Sequence, residues 1–226
     1  MDTHKYNLIV VAHPDDESIF FSGLIQSVTN LPWKVVCVTD GNADGQGEQR
    51  AEDFTKACRD LAVTENEQWD FPDIFEKRLD VSELVKRLKQ LETPVNIYTH
   101  SIVGEDGHPH HEDVCFAVHQ AFHNHDSIWS LAYNCWAEQI INLTKEQFEL
   151  KQTLLMNNYY SELVRFINLV PATYTEGFSK ISYVEIEELY FVLTQKKKIE
   201  TDKLDKYLWI KDHVEKFLSQ DRSRLF

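Results

Sequence analysis

The sequence predicts a single α/β domain of Rossmann-like type, in which helices cover both faces of a mostly parallel sheet. Three observations support this fold class. Apolar runs of strand length alternate with amphipathic helical patterns over about the first 135 residues. No repeat or Gly/Ser/Pro-rich linker divides the 226 residues. Apolar residues make up 42% and charged residues 27% of the chain, which is the balance of a folded globular protein.

The elements follow from the hydrophobic pattern. Continuous apolar runs predict strands buried on both faces at residues 8–12, 35–39, 95–99 and 128–133. A 3.6-residue apolar spacing predicts helices between and after these strands at residues 19–28, 49–63, 81–91 and 114–123. The single domain of residues 1–226 therefore has a core of about residues 6–135. The more polar remainder, about residues 140–226, is predicted to be a helical elaboration with helices over 145–166 and 202–218.

Charge and composition exclude several classes of function. Lys and Arg total 23 against 37 Asp and Glu, and the net charge of -14 disfavours binding to nucleic acid or to anionic membranes. No apolar run reaches the length of about 20 residues that a membrane span requires, and the N-terminal run is too short for a secretory signal. The four cysteines show no Cys-x-x-Cys pair and indicate a reducing compartment. We therefore expect a cytoplasmic protein, and the oligomeric state stays open.

Two groups of metal-type residues follow predicted strands. Residues 13–17 (His-Pro-Asp-Asp-Glu) come directly after the first strand, and residues 108–111 (His-Pro-His-His) follow the third. Ligands of an open parallel sheet bind beyond the carboxyl ends of its strands. Histidine nitrogen and carboxylate oxygen suit zinc, and a catalytic zinc takes three protein ligands and leaves one position open. The pattern therefore predicts one zinc ion held by His13, Asp16 and a downstream histidine.

These motifs carry a family resemblance. The Ala-His-Pro-Asp-Asp-Glu motif at 12–17 and the His-Pro-x-His motif at 108–111 together resemble the LmbE-like (PIG-L) zinc-dependent N-deacetylases. Arg50-x-x-Asp53 between them fits the same pattern, and the likeness covers roughly residues 6–125. A short glutamate-containing element at 174–178 is also similar to one in many members. The resemblance implies an enzyme that removes an acetyl or related acyl group from the amine of an amino sugar.

The resemblance also implies roles for individual residues: zinc ligands His13, Asp16 and His111, general base Asp15, and His108 at the oxyanion or leaving amine. A positioned base is worth about 10² to 10⁴ in rate, and stabilisation of a developing oxyanion about 3 kcal/mol. We assign Arg50 to substrate binding because its planar guanidinium suits sugar hydroxyls. The alternative for Arg50 is a surface residue paired with Asp53 or Glu52.

Two residues depart from the family pattern. Asp106, after Glu105, stands where many members have a tyrosine or small polar residue, and His110 stands where members usually have Asp or Asn. We expect His110 to point away from the metal and to pair with Asp106 or Glu105.

Other interpretations of the two motifs are a capped helix start at 13–16 and a solvated histidine loop. Competing functions are a metal-dependent amidase of a thiol conjugate, a two-metal phosphoesterase and an inactive sugar-binding relative.

The segment that begins at Asp40 imitates the start of a calcium-binding loop, with oxygen-bearing side chains at alternate positions before a glycine. An EF-hand requires a glutamate at the twelfth position, which is occupied here by Ala51. We therefore interpret residues 41–47 as a flexible loop over the active site, with calcium as an alternative.

Overall fold

The computed structural model describes residues 5–74, 77–133, 135–163, 172–194 and 207. Within these residues, seven strands form one sheet in the order β3-β2-β1-β4-β5-β7-β6. The strands are β1 (Asn7–Val11), β2 (Trp33–Thr39), β3 (Glu65–Phe71), β4 (Asn96–Thr99), β5 (Ile128–Leu131), β6 (Gln139–Asn142) and β7 (Thr175–Ser179). Pairing is parallel from β3 to β5 and antiparallel for β7 and β6. The predicted fold class is confirmed.

The helices cover both faces of this sheet. They are α1 (Asp16–Phe20), α2 (Ser22–Ser27), α3 (Gly47–Asp60), α4 (Val81–Leu88), α5 (Gly104–Gly107), α6 (Pro109–Ala121), α7 (Lys145–Asn158), α8 (Tyr160–Leu163) and α9 (Tyr183–Leu193). Successive β1 residues point to opposite faces, as in any strand. Leu8 and Val10 pack with α4 and α6, and Ile9 and Val11 pack with α2, α3 and α7. All five residues of β1 are buried, which explains its continuous apolar run.

Three strands differ from the sequence prediction. β3 was not predicted because it is an edge strand beside β2, and its sequence, Glu-Asn-Glu-Gln-Trp-Asp-Phe, is mostly polar. Its side chains Glu65 and Glu67 pair with Lys34 on β2. β6 and β7 add strands to a region predicted to be helical. β7 pairs with β5 on one side and β6 on the other. It alternates buried residues with more exposed ones, whereas β6 alternates half-buried and exposed residues.

Helix bounds also differ from the prediction, and the helix predicted at 114–123 begins earlier, at Pro109. The helix predicted at 19–28 begins earlier, at Asp16, and breaks at Phe21 into α1 and α2. The helix predicted at 145–166 ends at Asn158, after a capping box at Thr144 and Gln147. The helix predicted at 202–218 lies outside the described residues, apart from Tyr207.

Candidate metal centre and active site

The two histidine-containing motifs meet at the carboxyl edge of the sheet. β1 and β4 are adjacent parallel strands, with Val10 beside Thr99, so that residues 12–17 and 100–111 leave the sheet at the same place. The chain crosses from β2 and β3 on one side of β1 to β4 and β5 on the other, which makes this point a topological switch. The predicted site therefore lies where an open parallel sheet binds ligands.

Asp16 begins α1 and lies at the centre of the cluster. Its Oδ2 accepts the backbone N–H of His13 at 2.7 Å and lies 3.5 Å from His13 Nδ1. Its Oδ1 lies 3.5 Å from His111 Nε2. Burial alone would raise the pKa of Asp16, but the neighbouring rings of His111 and His100 outweigh this effect and hold the pKa well below its usual range. Asp16 is therefore a buried carboxylate in its charged form.

His111 is held in one tautomer by Glu105. The Nδ1 of His111 lies 2.5 Å from Glu105 Oε2, and its N–H donates a hydrogen bond to that carboxylate. The Nε2 lone pair then faces His13 Nδ1, 3.2 Å away, and Asp16. Ligand-type atoms of His13, Asp16 and His111 lie within 4.8 Å of one another. A carboxylate that orients a histidine in this way is typical of zinc sites.

His110 orients the other side of His13. Its Nε2 donates to the Lys77 carbonyl at 2.8 Å, which leaves a lone pair on Nδ1. That Nδ1 lies 3.0 Å from His13 Nε2, so His13 donates there and keeps its own Nδ1 lone pair for the cluster. His110 therefore bonds to His13 and to the Lys77 carbonyl, and not to Asp106 or Glu105 as predicted. Glu105 bonds to His111 instead, and Asp106 is exposed.

His108 caps the N-terminus of α6. Its Nδ1 accepts the backbone N–H of His110 at 3.2 Å, which places the proton of the neutral ring on Nε2. The ring packs against His13 and His111, with centroids 4.6 and 4.7 Å away. Burial is the largest cause of the lowered pKa of His108. This environment favours a neutral ring at His108, which acts as a hydrogen-bond donor and not as a cation.

Arg50 lies beside Asp15 and is only 7% exposed, which excludes the surface alternative. Its Nη2 donates to the Pro14 carbonyl at 2.9 Å and lies 3.5 Å from Asp15 Oδ2, and its Nη1 donates to the Gly41 carbonyl at 3.3 Å. Asp53 bonds to Gln49 instead. Arg50 therefore joins the loop after β1 to the loop after β2.

Sequence reasoning missed His100, although it is the first residue after β4. It is fully buried, and its ring stacks on His111 with centroids 3.9 Å apart. Nε2 accepts the Ala12 N–H at 2.9 Å, and this bond requires a lone pair on a neutral ring. We assign the proton to Nδ1, which lies 3.2 Å from Glu105 Oε2.

Two more residues of this region were not predicted. Glu17 is 0% exposed and bonds to Tyr159, and burial raises the pKa of Glu17 to about 7. Asp73 approaches Arg50, His13 and His110 at 3.5 to 3.7 Å. Tyr159, the residue directly after α7, contacts Glu17 although the two lie 142 residues apart, and no local sequence motif predicts that contact.

The calcium-like loop uses its side-chain oxygens on its own backbone and on a neighbouring loop. Asp40 Oδ1 accepts the N–H groups of Asn42 and Asp73, and Asn42 Oδ1 accepts the N–H of Gly47. Asp44 Oδ1 accepts the N–H of Gln46. These turns explain the residue pattern as local capping before α3.

The fold and the cluster thus define an α/β protein with a His-Asp-His metal-type centre at the switch point of its sheet. The family model "PIG-L: GlcNAc-PI de-N-acetylase" matches residues 8–122, just over half of the chain, and this range contains every predicted site residue. The chain belongs to this PIG-L (LmbE-like) family.

Individual proteins show the same likeness. The N-acetylglucosaminyl-phosphatidylinositol de-N-acetylase of Saccharomyces cerevisiae is 30% identical over an alignment of 112 residues, and the match covers 44% of this chain and 36% of that protein. The chain spans about half or less of the length of the first curated relatives it matches.

Solved structures show the fold. N,N'-diacetylchitobiose deacetylase of Pyrococcus horikoshii matches with a TM-score of 0.60 at 18% identity, over 80% of this chain and 85% of that one. A 4-carboxy-2-hydroxymuconate hydratase (GalB) of Pseudomonas putida KT2440 matches with 0.50 at 14% identity, over 79% and 98%. The fold is therefore shared by different activities, and the argument for function must come from the site.

The prediction of a cytoplasmic location is wrong on this comparison. The relatives from Saccharomyces cerevisiae and Dictyostelium discoideum carry names that specify N-acetylglucosaminyl-phosphatidylinositol, a membrane lipid, as the substrate, and this contradicts the prediction. Within the described part of the chain, no helix is both long and apolar enough to cross a bilayer.

Proposed function

We propose that this chain is a zinc-dependent hydrolase that removes the N-acetyl group from an N-acetylglucosamine-type amino sugar or its conjugate. The observation that carries the proposal is the convergence of three ligand-type atoms, from His13, Asp16 and His111, beside two groups suited to proton transfer and hydrogen bonding, Asp15 and His108. Family membership supports the same reaction.

The donor set fits one zinc ion per chain. Two imidazole nitrogens with lone pairs and one carboxylate are the ligands of a three-coordinate protein site that leaves a position open. In this assignment His110 and Glu105 fix the tautomers of His13 and His111. Each also belongs to a second group of ligand-type atoms, which is His13, His108 and His110 in one case and His100, Glu105 and His111 in the other. When bound, zinc supplies a Lewis acid that polarises an acyl carbonyl and lowers the pKa of water to about 7.

Asp15 is the general base of the proposed reaction. Its side chain retains 17% exposure, and the guanidinium of Arg50, 3.5 Å from Oδ2, provides the countercharge. The carboxylate takes the proton of the attacking water and then returns it to the amine as the C–N bond breaks. One proton of the water thus passes through Asp15 to the amine. The second leaves with the acyl product and is then taken up by the amine, so that acetate and the protonated amino sugar are formed.

His108 provides a hydrogen bond to the acyl oxygen. With Nδ1 occupied by the His110 N–H, the Nε2–H of His108 is the available donor. As the acyl carbon becomes tetrahedral, charge grows on its oxygen, and a fixed donor stabilises this state more than the ground state. A neutral histidine performs this role without a proton-transfer step.

The substrate class follows from the relatives. Their names specify an N-acetylglucosaminyl lipid and a chitobiose derivative, which share an N-acetylglucosamine unit. The assignment of Arg50 to substrate binding stays a prediction, and Arg50→Ala is expected to raise KM. An effect confined to kcat would instead assign Arg50 to the loop that carries Asp15, and unchanged kinetics would leave it with no role in the reaction.

The test is acetate release from N-acetylglucosamine, N,N'-diacetylchitobiose and N-acetylglucosaminyl-phosphatidylinositol by protein depleted of metal and then reloaded with zinc. We expect one zinc per chain by elemental analysis, and activity that disappears on depletion and returns on reloading. Asp15→Asn should keep zinc and lose most turnover, whereas the exposed-site control His123→Gln should match the parent. Two metals per chain with phosphatase activity, or tight sugar binding without turnover, would contradict the proposal.

A further inference from the structure

The peptide unit between Pro14 and Asp15 is held at both of its polar atoms. Its carbonyl oxygen accepts a hydrogen bond from Arg50 Nη2 at 2.9 Å, and its N–H donates to Glu17 Oε2 at 3.1 Å. Glu17 is 0% exposed, so water does not compete for this contact. The peptide directly precedes the side chain of the proposed base.

The backbone of Asp15 is strained in this arrangement. Its φ is 124° and its ψ is -31°, a region of backbone conformation that residues other than glycine rarely occupy. Its carbonyl accepts the N–H groups of Ser18 and Ile19, both at 2.9 Å, at the start of α1. The following peptide is therefore held by the helix, and the preceding one by Arg50 and Glu17. Together they set the direction in which the Asp15 carboxylate leaves the chain.

Glu17 is itself oriented by two hydroxyl groups. Tyr159 donates to Glu17 Oε1 at 2.7 Å, and Ser18 donates to the same oxygen at 2.6 Å. Oε2 then remains for the Asp15 N–H. Tyr159 is 0% exposed and packs with Ala57 and Leu155, so its hydroxyl has a fixed position.

We propose that Glu17, oriented by Tyr159, is a positioning residue that holds Asp15 in its strained conformation and so aims the carboxylate at the substrate. The inference rests on the proposed function, since it assigns a purpose to the third carboxylate of the motif at 13–17. Glu17 touches neither substrate nor metal in this assignment. Its loss therefore changes kcat and leaves KM and bound zinc unchanged.

Two substitutions of Glu17 separate positioning from general structure. Glu17→Leu keeps the volume but removes the acceptor, and we expect kcat to fall about 10²-fold, the effect of a misplaced reacting group. Glu17→Gln retains an amide oxygen for the Asp15 N–H, and its NH₂ donates to the hydroxyl oxygens of Tyr159 and Ser18. It should keep most of the kcat. Tyr159→Phe leaves Glu17 in place with one partner fewer, and a smaller fall in kcat is expected even if Glu17→Leu does not fold.

A double-mutant cycle shows whether Glu17 acts through Asp15. Because Asp15→Asn already removes the base, Glu17→Leu should cause no further loss in that background. Multiplicative losses would place the action of Glu17 elsewhere and overturn the proposal, as would equal kcat in the Leu and Gln variants.

Amide hydrogen exchange measured by NMR tests the hydrogen bond from the Asp15 N–H to Glu17, and this measurement does not depend on enzymatic activity. In Glu17→Leu the Asp15 amide should exchange at least about tenfold faster, while in Glu17→Gln it should stay protected. The Ala12 amide, which donates to His100, is the internal reference. If the parent protein releases no acetate, the proposed function fails and the Asp15 amide still reports the contact. Unchanged Asp15 exchange in Glu17→Leu overturns the inference.

Discussion

The Nε2 of His13 lies 3.0 Å from the Nδ1 of His110, and the opposite nitrogen of His110 donates to the Lys77 carbonyl. This relay determines which nitrogen of His13 faces Asp16 and His111. His110, one of the two residues that depart from the family pattern, is therefore a hydrogen-bond partner of the proposed ligand His13. It is not itself one of the proposed ligands His13, Asp16 and His111.

The three histidines of residues 108–111 are expected to respond differently to substitution. His111→Ala should lose both zinc and activity, because it removes a proposed ligand. His108→Ala should keep zinc and lose turnover. His110→Ala should be the mildest, with about a 10- to 100-fold loss, since it removes only a partner of a ligand. Bound zinc and acetate release are measured for all three variants. Loss of zinc from His110→Ala with retention by His111→Ala would reverse the assignment.

Glu105→Gln tests the orientation of His111. Glu105 is 1% exposed, has a positive φ of 55°, and bonds to the rings of His111 and His100 and to the Ser101 N–H. The amide is a weaker acceptor, and its NH₂ faces donors, so we expect zinc affinity to fall about 10- to 100-fold. Competition with a chelator measures the affinity. The exposed neighbour Asp106 provides the control variant Asp106→Asn, and equal affinities in the two variants would contradict the assignment.

Lys151→Met should destabilise the fold. Lys151 and Glu176 form a fully buried ion pair at 2.8 Å, and Glu176 also accepts the N–H groups of Gly23 and Leu24 in α2. Removing the cation leaves a buried carboxylate unpaired, at a cost of about 3–5 kcal/mol. Urea unfolding measures this change. The double variant Lys151→Met/Glu176→Gln should regain part of the loss, and an equally unstable double variant would show that the charge is not the cause.

The free energy of unfolding should decrease as the pH is lowered, partly because of His119. Its ring is 1% exposed and bonds to Ser130, and burial lowers its pKa to about 4 from an ordinary 6.5. Between these values the unfolded chain binds a proton that the folded chain does not, so the unfolding free energy decreases as the pH falls. From pH 7 to pH 5 this contribution is about 2 kcal/mol.

His119→Gln keeps a polar group near Ser130 but does not titrate. The drop in unfolding free energy between pH 7 and pH 5 should therefore be smaller than in the parent by about that amount. His123→Gln, at an exposed position of the same region, should leave the drop unchanged. A parent-like drop in His119→Gln would show that the proton binds elsewhere.

The hydrophobic pattern of the sequence was sufficient to predict the central strands but not the outer ones. β1, β2, β4 and β5 were predicted because strands covered on both faces need continuous apolar sequence. β3, at the edge, keeps polar side chains in solvent, and β6 and β7 are strands only because their neighbours supply hydrogen-bond partners. Such pairing is a non-local property that a local window of sequence does not contain.

The sequence by itself determined the fold class, the two motifs and their convergence, because parallel strands direct the residues that follow them to one edge of the sheet. Only the tertiary structure decided which nitrogen of each histidine faces the cluster, that His100 lies against His111, and that Tyr159 orients Glu17. The physical reason is that these contacts join side chains from different elements, up to 142 residues apart in the Tyr159–Glu17 bond. Their geometry exists only after β1 and β4 pair and α7 packs against them.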